Sequence, residues 1–160
     1  KKDPKNYEAR AEIMWCGSLS HNGLTGCGTC GGDWATHLIE HELGGMFDVA
    51  HGAGLAAVWG SWARYVMDEK PERFAQFAVN VMGVEECEDI KATAIKGIEA
   101  VEDFYREIEM PTNLKELGID PTDEQIKDMA MKATNNDTQQ LGAFKKLSAK
   151  DLVEIYTAAK

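Results

Sequence analysis

The stretch GDWATHLIEHELGGMFDVAHG, residues 32–52, contains three of the four histidines of the chain. His37 and His41 are separated by one helical turn, so on a helix they share a face. His51 follows two adjacent glycines, and a reversal of the chain there would bring it back against His37. Neutral imidazole binds iron, zinc, nickel and copper. The spacing therefore predicts a metal site built from one helix and the start of the next.

The alternative is that these histidines are ordinary surface residues or hydrogen-bonded core residues, as single histidines usually are. All four, however, fall within residues 21–51, and the remaining chain has none. Histidines that only occupy surface positions would be expected to scatter more widely. The clustering favours a metal, but it does not indicate which chemistry the metal serves.

Helical patterns run along the whole chain, and no segment shows a convincing strand pattern. The pattern predicts an all-α helical bundle of roughly six to eight helices, which forms one helical metal-binding domain over residues 1–160. The predicted helices are 7–20, a helix capped by Asp33 or Thr36 that runs to Leu43, 52–67, 72–81 with Pro71 at its first turn, 86–108, 123–134 capped by Thr122 with Gln125, and 148–159 capped by Ser148 with Asp151.

Composition excludes several classes of protein. The 27 acidic and 17 basic residues give a formal net charge of −10, which repels phosphate backbones and argues against a nucleic-acid partner. No apolar run reaches the roughly 18–20 residues that a membrane helix needs. The polar start does not resemble a secretory signal, and the cysteines are too few for a disulfide scaffold. We therefore expect a cytoplasmic protein.

Cys27 and Cys30 form a C-x-x-C pair. Such a pair can act as a redox dithiol or as half of a zinc site. No second pair exists in the sequence, and Cys16 and Cys87 lack the spacing of metal ligands. We favour a loop with two incidental thiols.

Residues 37–41, HLIEH, fit the H-x-x-E-H pattern of inverted zinc peptidases. In that interpretation His37 and His41 bind zinc, and Glu40 activates a water molecule for hydrolysis. The pattern has only three fixed positions, and it leaves His51 without a role. An H-x-x-E-H zinc hydrolase is therefore kept as an alternative.

A longer set of residues resembles the signature of iron-containing alcohol dehydrogenases, and in particular their butanol dehydrogenase and aldehyde reductase branch. The matching residues are Asp33-Trp34-Ala35-Thr36-His37, His41-Glu42-Leu43, Asp48, His51-Gly52 and Gly54-Leu55-Ala56. Residues 20–24, 110–118 and 151–156 resemble further segments of that family, so the similarity covers nearly the whole chain. The resemblance implies the C-terminal helical domain of the dehydroquinate synthase-like fold, without its nucleotide-binding half.

The resemblance also implies roles for individual residues. Carried over by position, His37 and His51 are metal ligands for Fe²⁺, which zinc or nickel can replace. His41 corresponds to a catalytic histidine that lies near the nicotinamide and the substrate, away from the metal. Trp34, close to His37, is expected on the cofactor side of the cleft. The family completes its site with an Asp and a His four residues apart upstream, and no such pair precedes His37 here.

The implied activity is NAD(P)H-dependent interconversion of small aldehydes and alcohols by hydride transfer. The implied partners are that substrate and an N-terminal nucleotide-binding domain, and the resemblance allows a homo-oligomer. We expect the 160-residue chain to be inactive by itself. Besides the zinc hydrolase, a non-catalytic helical dimerisation module stays open as an alternative.

Overall fold

The computed structural model describes residues 2–29 and 31–160, and within these ranges it contains seven α-helices. They are α1 (Tyr7–His21), α2 (Ala35–Phe47), α3 (His51–Val66), α4 (Pro71–Asn80), α5 (Ile90–Glu107), α6 (Asp123–Ala133) and α7 (Ala149–Ala158). The only β-type pairing among these residues is an isolated antiparallel bridge between Leu141 and Leu147. The all-α prediction is thereby confirmed. None of the described helices combines the length and the apolar character that crossing a membrane requires.

The chain divides into two compact units, Lys1–Gly32 and Asp33–Lys160. In the first unit α1 buries none of its residues, and Trp15 is 62% exposed. The helix predicted over residues 7–20 is present. Cys27 has an exposed free thiol, but Cys30 lies outside the described residues, so the interpretation of the C-x-x-C pair stays a prediction.

The second unit has a core that is shared by α2, α3, α6 and α7. Its largest fully buried apolar side chains include Tyr156, Ile39, Leu43, Leu114, Ile126, Met129, Leu147, Leu152, Ile155 and Val58. Each such side chain stabilises the fold by about 1.5–3 kcal/mol. The hydroxyl of Tyr156 donates a hydrogen bond to the carbonyl oxygen of Ile39 at 2.6 Å. This bond attaches α7 to the middle of α2, and burial raises the pKa of the Tyr156 phenol.

Helix starts agree well with the sequence. Thr122 and Ser148 each form a capping box, in which the cap side chain and the residue three positions later exchange hydrogen bonds. Pro71 occupies the first turn of α4. The long fifth helix begins at Ile90 and not at residue 86, because the side chain of Asp89 caps it by accepting a hydrogen bond from the Lys91 amide.

The end of α2 also differs from the prediction. The helix was predicted to run to Leu43, yet it continues through Gly44 and Gly45 to Phe47. Met46 and Phe47 pack against the core. Their burial offsets the roughly 1 kcal/mol by which each glycine disfavours a helix interior relative to alanine.

Candidate metal centre

The start of α2 is held in place by the carboxylate of Asp33. One oxygen of Asp33 accepts a hydrogen bond from the Ala35 amide at 2.8 Å. The other oxygen accepts from the amides of Ala143 and Phe144 at 2.8 and 2.7 Å. Asp33 thus satisfies a free amide at the helix start and ties α2 to the loop before α7. The helix that presents His37 and His41 is anchored at its first turn.

The end of α2 turns the chain back towards the same helix. Asp48 adopts a left-handed conformation with φ of 54°, and its amide donates to the carbonyl of Gly44 at 3.0 Å. Asp can adopt this conformation more readily than most residues other than glycine. After the short link of residues 48–50, His51 is the first residue of α3. The reversal expected from the sequence therefore places His51 beside the histidines of α2.

The three imidazole rings converge. The ring centres of His37 and His51 are 5.4 Å apart, and those of His41 and His51 are 5.5 Å apart. Two imidazoles that bind one tetrahedral metal at about 2.0–2.1 Å have ring centres about 5 Å apart. His41 and His51 are exposed, and His37 is half-buried. The spacing of the rings and their access to solvent fit a metal ion bound by imidazole nitrogens.

A carboxylate accompanies these rings. Glu40 is only 1% exposed, and its Oε2 contacts Nδ1 of His51. Its Oε1 has no hydrogen-bond partner among the described residues. One ligand atom each from Glu40, His41 and His51 lie within 4.8 Å of one another. The donor set of imidazoles and a carboxylate suits iron or zinc.

The structure brings the predicted site residues of α2 and α3 together, and the individual roles of these residues stay predictions. Trp34 lies beside the site, with its ring edge-on to His37 at 4.8 Å and its side chain 58% exposed. His41 was expected away from the metal, but its ring is about as close to His51 as the ring of His37 is. His37, His41 and His51 therefore lie together. The similar ring distances do not distinguish a metal ligand from a catalytic histidine. The fourth histidine, His21, belongs to the first unit.

Sequence reasoning missed the contact between Glu40 and His51. Glu40 was considered only as the base of a zinc hydrolase. A signal was nevertheless present, because a residue three positions after His37 lies on the same helix face as that histidine. What the sequence does not show is the tertiary partner, since His51 approaches Glu40 only when α3 folds back on α2.

The surroundings of Glu40 do not favour the hydrolase. A general base must reach a water molecule beside the metal. The carboxylate of Glu40 is buried and engaged by His51. A Cβ atom added at Gly54 would lie 2.6 Å from Glu40 Oε1, so α3 closely covers that oxygen. Among the described residues, the converging rings also argue against a purely structural dimerisation module.

The comparisons with known proteins show the family to which this chain belongs. The sequence profile of the Fe-containing alcohol dehydrogenase family, C-terminal, matches residues 1–160. The chain belongs to the iron-containing alcohol dehydrogenase family, and it corresponds to the C-terminal helical part of its members.

Individual relatives are considerably longer than this chain. A probable NADH-dependent butanol dehydrogenase of Bacillus subtilis is 37% identical over 158 residues, which are 98% of this chain and 40% of the relative. An NADPH-dependent aldehyde reductase of Escherichia coli is 31% identical over 160 residues, 99% of this chain and 40% of its own length. The crystal structure of NADH-dependent butanol dehydrogenase A from Thermotoga maritima superimposes with a TM-score of 0.88 at 34% identity, covering 99% of this chain and 40% of that protein. The chain thus spans about two fifths of the length of these relatives.

Proposed function

We propose that this chain is the metal-binding helical part of an NAD(P)H-dependent alcohol dehydrogenase that interconverts small aldehydes and alcohols. The observation that carries the proposal is the convergence of the three imidazoles where α2 and α3 meet. The family membership and the named butanol dehydrogenases and aldehyde reductase among its relatives support the reaction class.

His37 and His51 are proposed to bind the metal, with Fe²⁺ as the native ion and zinc or nickel as substitutes. His37 is presented by the anchored helix α2, and His51 by the first turn of α3. When bound, the metal supplies a Lewis acid that polarises the carbonyl, while the nicotinamide supplies the hydride. The residues of this chain contribute the position and the orientation of those two groups.

His41 is proposed to hold the proton that balances the reaction. Reduction of an aldehyde adds a hydride to the carbonyl carbon and a proton to the carbonyl oxygen. Histidine is the side chain that most often transfers protons in enzymes, and the exposed ring of His41 lies 5.5 Å from that of His51. Trp34 is exposed and edge-on to His37, which suits a residue that contacts the nicotinamide or the substrate.

Calorimetric titration of the 160-residue chain with Zn²⁺, and with Fe²⁺ under anaerobic conditions, tests the metal assignment. We expect weak, exchangeable binding, because two imidazoles make a poorer site than a full ligand set. His37→Ala and His51→Ala should each lower the zinc affinity at least about tenfold. His21→Ala removes an imidazole from the first unit and serves as the matched control, with unchanged affinity. Nanomolar iron affinity, or equal losses in all three variants, would contradict the assignment.

Enzyme assays separate the dehydrogenase from the hydrolase. The 160-residue chain with butanal and NADH should show no oxidation of NADH, because no cofactor-binding domain is present in the assay. Cleavage of casein that disappears in Glu40→Gln would support the zinc hydrolase. Aldehyde-dependent oxidation of NADH by the chain alone would show that the site works without the nucleotide-binding part. The proposal that this chain supplies only the metal-binding part of the enzyme would then be wrong.

A further inference from the structure

Glu40 is a charged side chain in an enclosed position between α2 and α3. The residue is 1% exposed, whereas 51% of the His51 side chain remains accessible. Oε2 of Glu40 contacts Nδ1 of His51, and Oε1 has no hydrogen-bond partner in the described part of the chain. The carboxylate therefore touches His51 at the ring nitrogen that lies nearer to the backbone. The second ring nitrogen, Nε2, is left for another partner.

The shape of this position depends on a glycine of α3. A Cβ atom added at Gly54 would lie 2.6 Å from Oε1 and 2.7 Å from Cγ of Glu40. Real Cβ atoms do not approach other heavy atoms so closely, so the Glu40 side chain occupies space that any other residue at position 54 would take. Gly44 also borders the carboxylate, at 3.5 Å from its Cβ position. Gly54 and Gly44 thus leave the space that the Glu40 side chain occupies.

Packing alone does not account for a carboxylate here. A buried carboxylate costs several kcal/mol of desolvation, and an apolar residue of similar volume is often as stable or more stable at such a position. Among residues 2–29 and 31–160, the two carboxylate oxygens of Glu40 have one hydrogen-bond partner, His51. The favourable part of the arrangement is the contact between Oε2 of Glu40 and Nδ1 of His51.

We propose that Glu40 is the positioning residue of His51. Its carboxylate accepts a hydrogen bond from Nδ1–H, which holds His51 in the neutral tautomer whose Nε2 lone pair is free to bind a metal. Carboxylate–histidine pairs of this kind orient metal ligands and increase their basicity, and losing the carboxylate typically lowers metal affinity about 10–100-fold. This inference rests on the proposed function in so far as His51 is a metal ligand.

The first test needs no metal. Nitrogen-15 NMR of the 160-residue chain at pH 8 reports which ring nitrogen of His51 carries the proton. We expect the Nδ1–H tautomer in the native sequence and a shift towards the Nε2–H tautomer in Glu40→Ala. The matched control is Glu42→Ala, which removes a carboxylate from the same helix and should leave the His51 tautomer unchanged. An Nε2–H tautomer in the native sequence would overturn the proposal.

The second test measures zinc affinity by calorimetry. Glu40→Ala should bind Zn²⁺ about 10–100-fold more weakly than the native sequence, and Glu42→Ala should bind it equally well. Glu40→Gln should recover part of the loss, because an amide oxygen still accepts from Nδ1–H. If Glu40 instead bound the metal directly, the neutral amide would be a poor ligand, and Gln would be as damaging as Ala.

The two tests also separate this inference from the proposed function. A native chain with the Nδ1–H tautomer but no zinc binding would contradict the metal site while leaving the Glu40–His51 contact intact. Zinc binding that depends on His37 and His51 but not on Glu40 would overturn the positioning role alone. If circular dichroism shows that Glu40→Ala does not fold, the zinc affinity of Glu40→Gln tests the positioning role instead. Loss of stability in Glu40→Gln, with zinc affinity equal to that of the native sequence, would reduce Glu40 to a structural link between α2 and α3, because the proposal expects the amide to recover only part of the affinity.

Discussion

Two helix pairs of the second unit, α2–α3 and α4–α5, each place a glycine against the neighbouring helix, but different groups fill the space. A Cβ atom at Gly97 of α5 would lie 2.4 Å from the Cβ and 2.9 Å from the Cα of Ala78 in α4. A Cβ atom at Gly54 of α3 would instead lie 2.6 Å from the carboxylate of Glu40 in α2. The α4–α5 contact consists of backbone and methyl groups, whereas the α2–α3 contact encloses a carboxylate that holds an imidazole.

The difference shows how the same close approach serves two purposes. Between α4 and α5 the glycine lets two backbones approach and bury apolar surface, which stabilises the fold directly. Between α2 and α3 the enclosed carboxylate costs desolvation free energy that an apolar residue would not. Substitutions in the first contact should therefore change stability and leave metal binding unchanged. Substitutions in the α2–α3 contact should instead change metal binding more than stability.

The largest effect on stability is expected from Gly97→Ala. The added Cβ atom meets the backbone of Ala78, which cannot swing aside, so α4 and α5 must separate. Overpacking of this kind costs about 1–3 kcal/mol, against roughly 1 kcal/mol that alanine gains over glycine in a helix. We expect a net loss of up to about 2 kcal/mol in the free energy of unfolding, measured with urea.

The double variant Ala78→Gly with Gly97→Ala moves the methyl group to the other helix and provides the control. It should recover part of the lost stability because the total volume at the contact is conserved. Zinc affinity should match that of the native sequence in both variants. A Gly97→Ala protein as stable as the native one would mean that the two helices are not closely packed at this point.

Gly54→Ala should affect metal binding more than stability. The new Cβ atom collides with Oε1 and Cγ of the Glu40 side chain, which can change its χ angles more easily than the backbone at Ala78 can move, so we expect Glu40 to shift away from His51. We expect zinc affinity about tenfold weaker, and less than about 1 kcal/mol lost from the free energy of unfolding. Gly44→Ala is the matched control, because its Cβ would lie at an ordinary 3.5 Å from Glu40 Oε1. Equal zinc affinity in both alanine variants would mean that the α2–α3 contact at Gly54 does not affect metal binding.

Local features of the fold were predictable because their causes are local in sequence. The capping boxes at Thr122 and Ser148 need only residues three positions apart, and the structure contains both. Pro71 likewise marks the first turn of α4. The ends of helices were less predictable where tertiary contacts decide them, as in the continuation of α2 to Phe47, which the core stabilises.

The candidate site divides in the same way. The spacing of His37 and His41 predicts a shared helix face, and the glycines before His51 indicate a reversal of the chain. The function of Glu40 could not be inferred from spacing, because its contact with His51 and its fit beside Gly54 exist only when α3 packs on α2. The distances from the rings of His37 and His41 to the ring of His51 also depend on how α3 packs on α2, and they are nearly equal.

A second partly buried carboxylate, Asp151, gives the smallest predicted effect and sharpens the contrast with Glu40. Asp151 accepts hydrogen bonds from the amide and hydroxyl of Ser148 at 2.7 and 2.6 Å, and from the hydroxyl of Tyr65 at 2.5 Å. Burial alone would raise the pKa of Asp151, but the hydrogen bonds from Ser148 and Tyr65 outweigh it and lower the pKa below 3.8. A carboxylate whose pKa is lower in the folded state stabilises the fold above its unfolded-state pKa, and this stability is lost as the pH falls through the folded-state pKa.

Asp151→Asn should therefore lose about 1 kcal/mol in the free energy of unfolding at pH 7. The gap to the native protein should narrow as urea titrations move below about pH 4, near the ordinary pKa of Asp. Zinc affinity at pH 7 should not change, since Asp151 supports α7 and its link to Tyr65 and does not contact the histidines. A stability difference that stays constant from pH 7 to pH 3 would show that the ionised form of Asp151 contributes nothing, and that shape alone explains the cap.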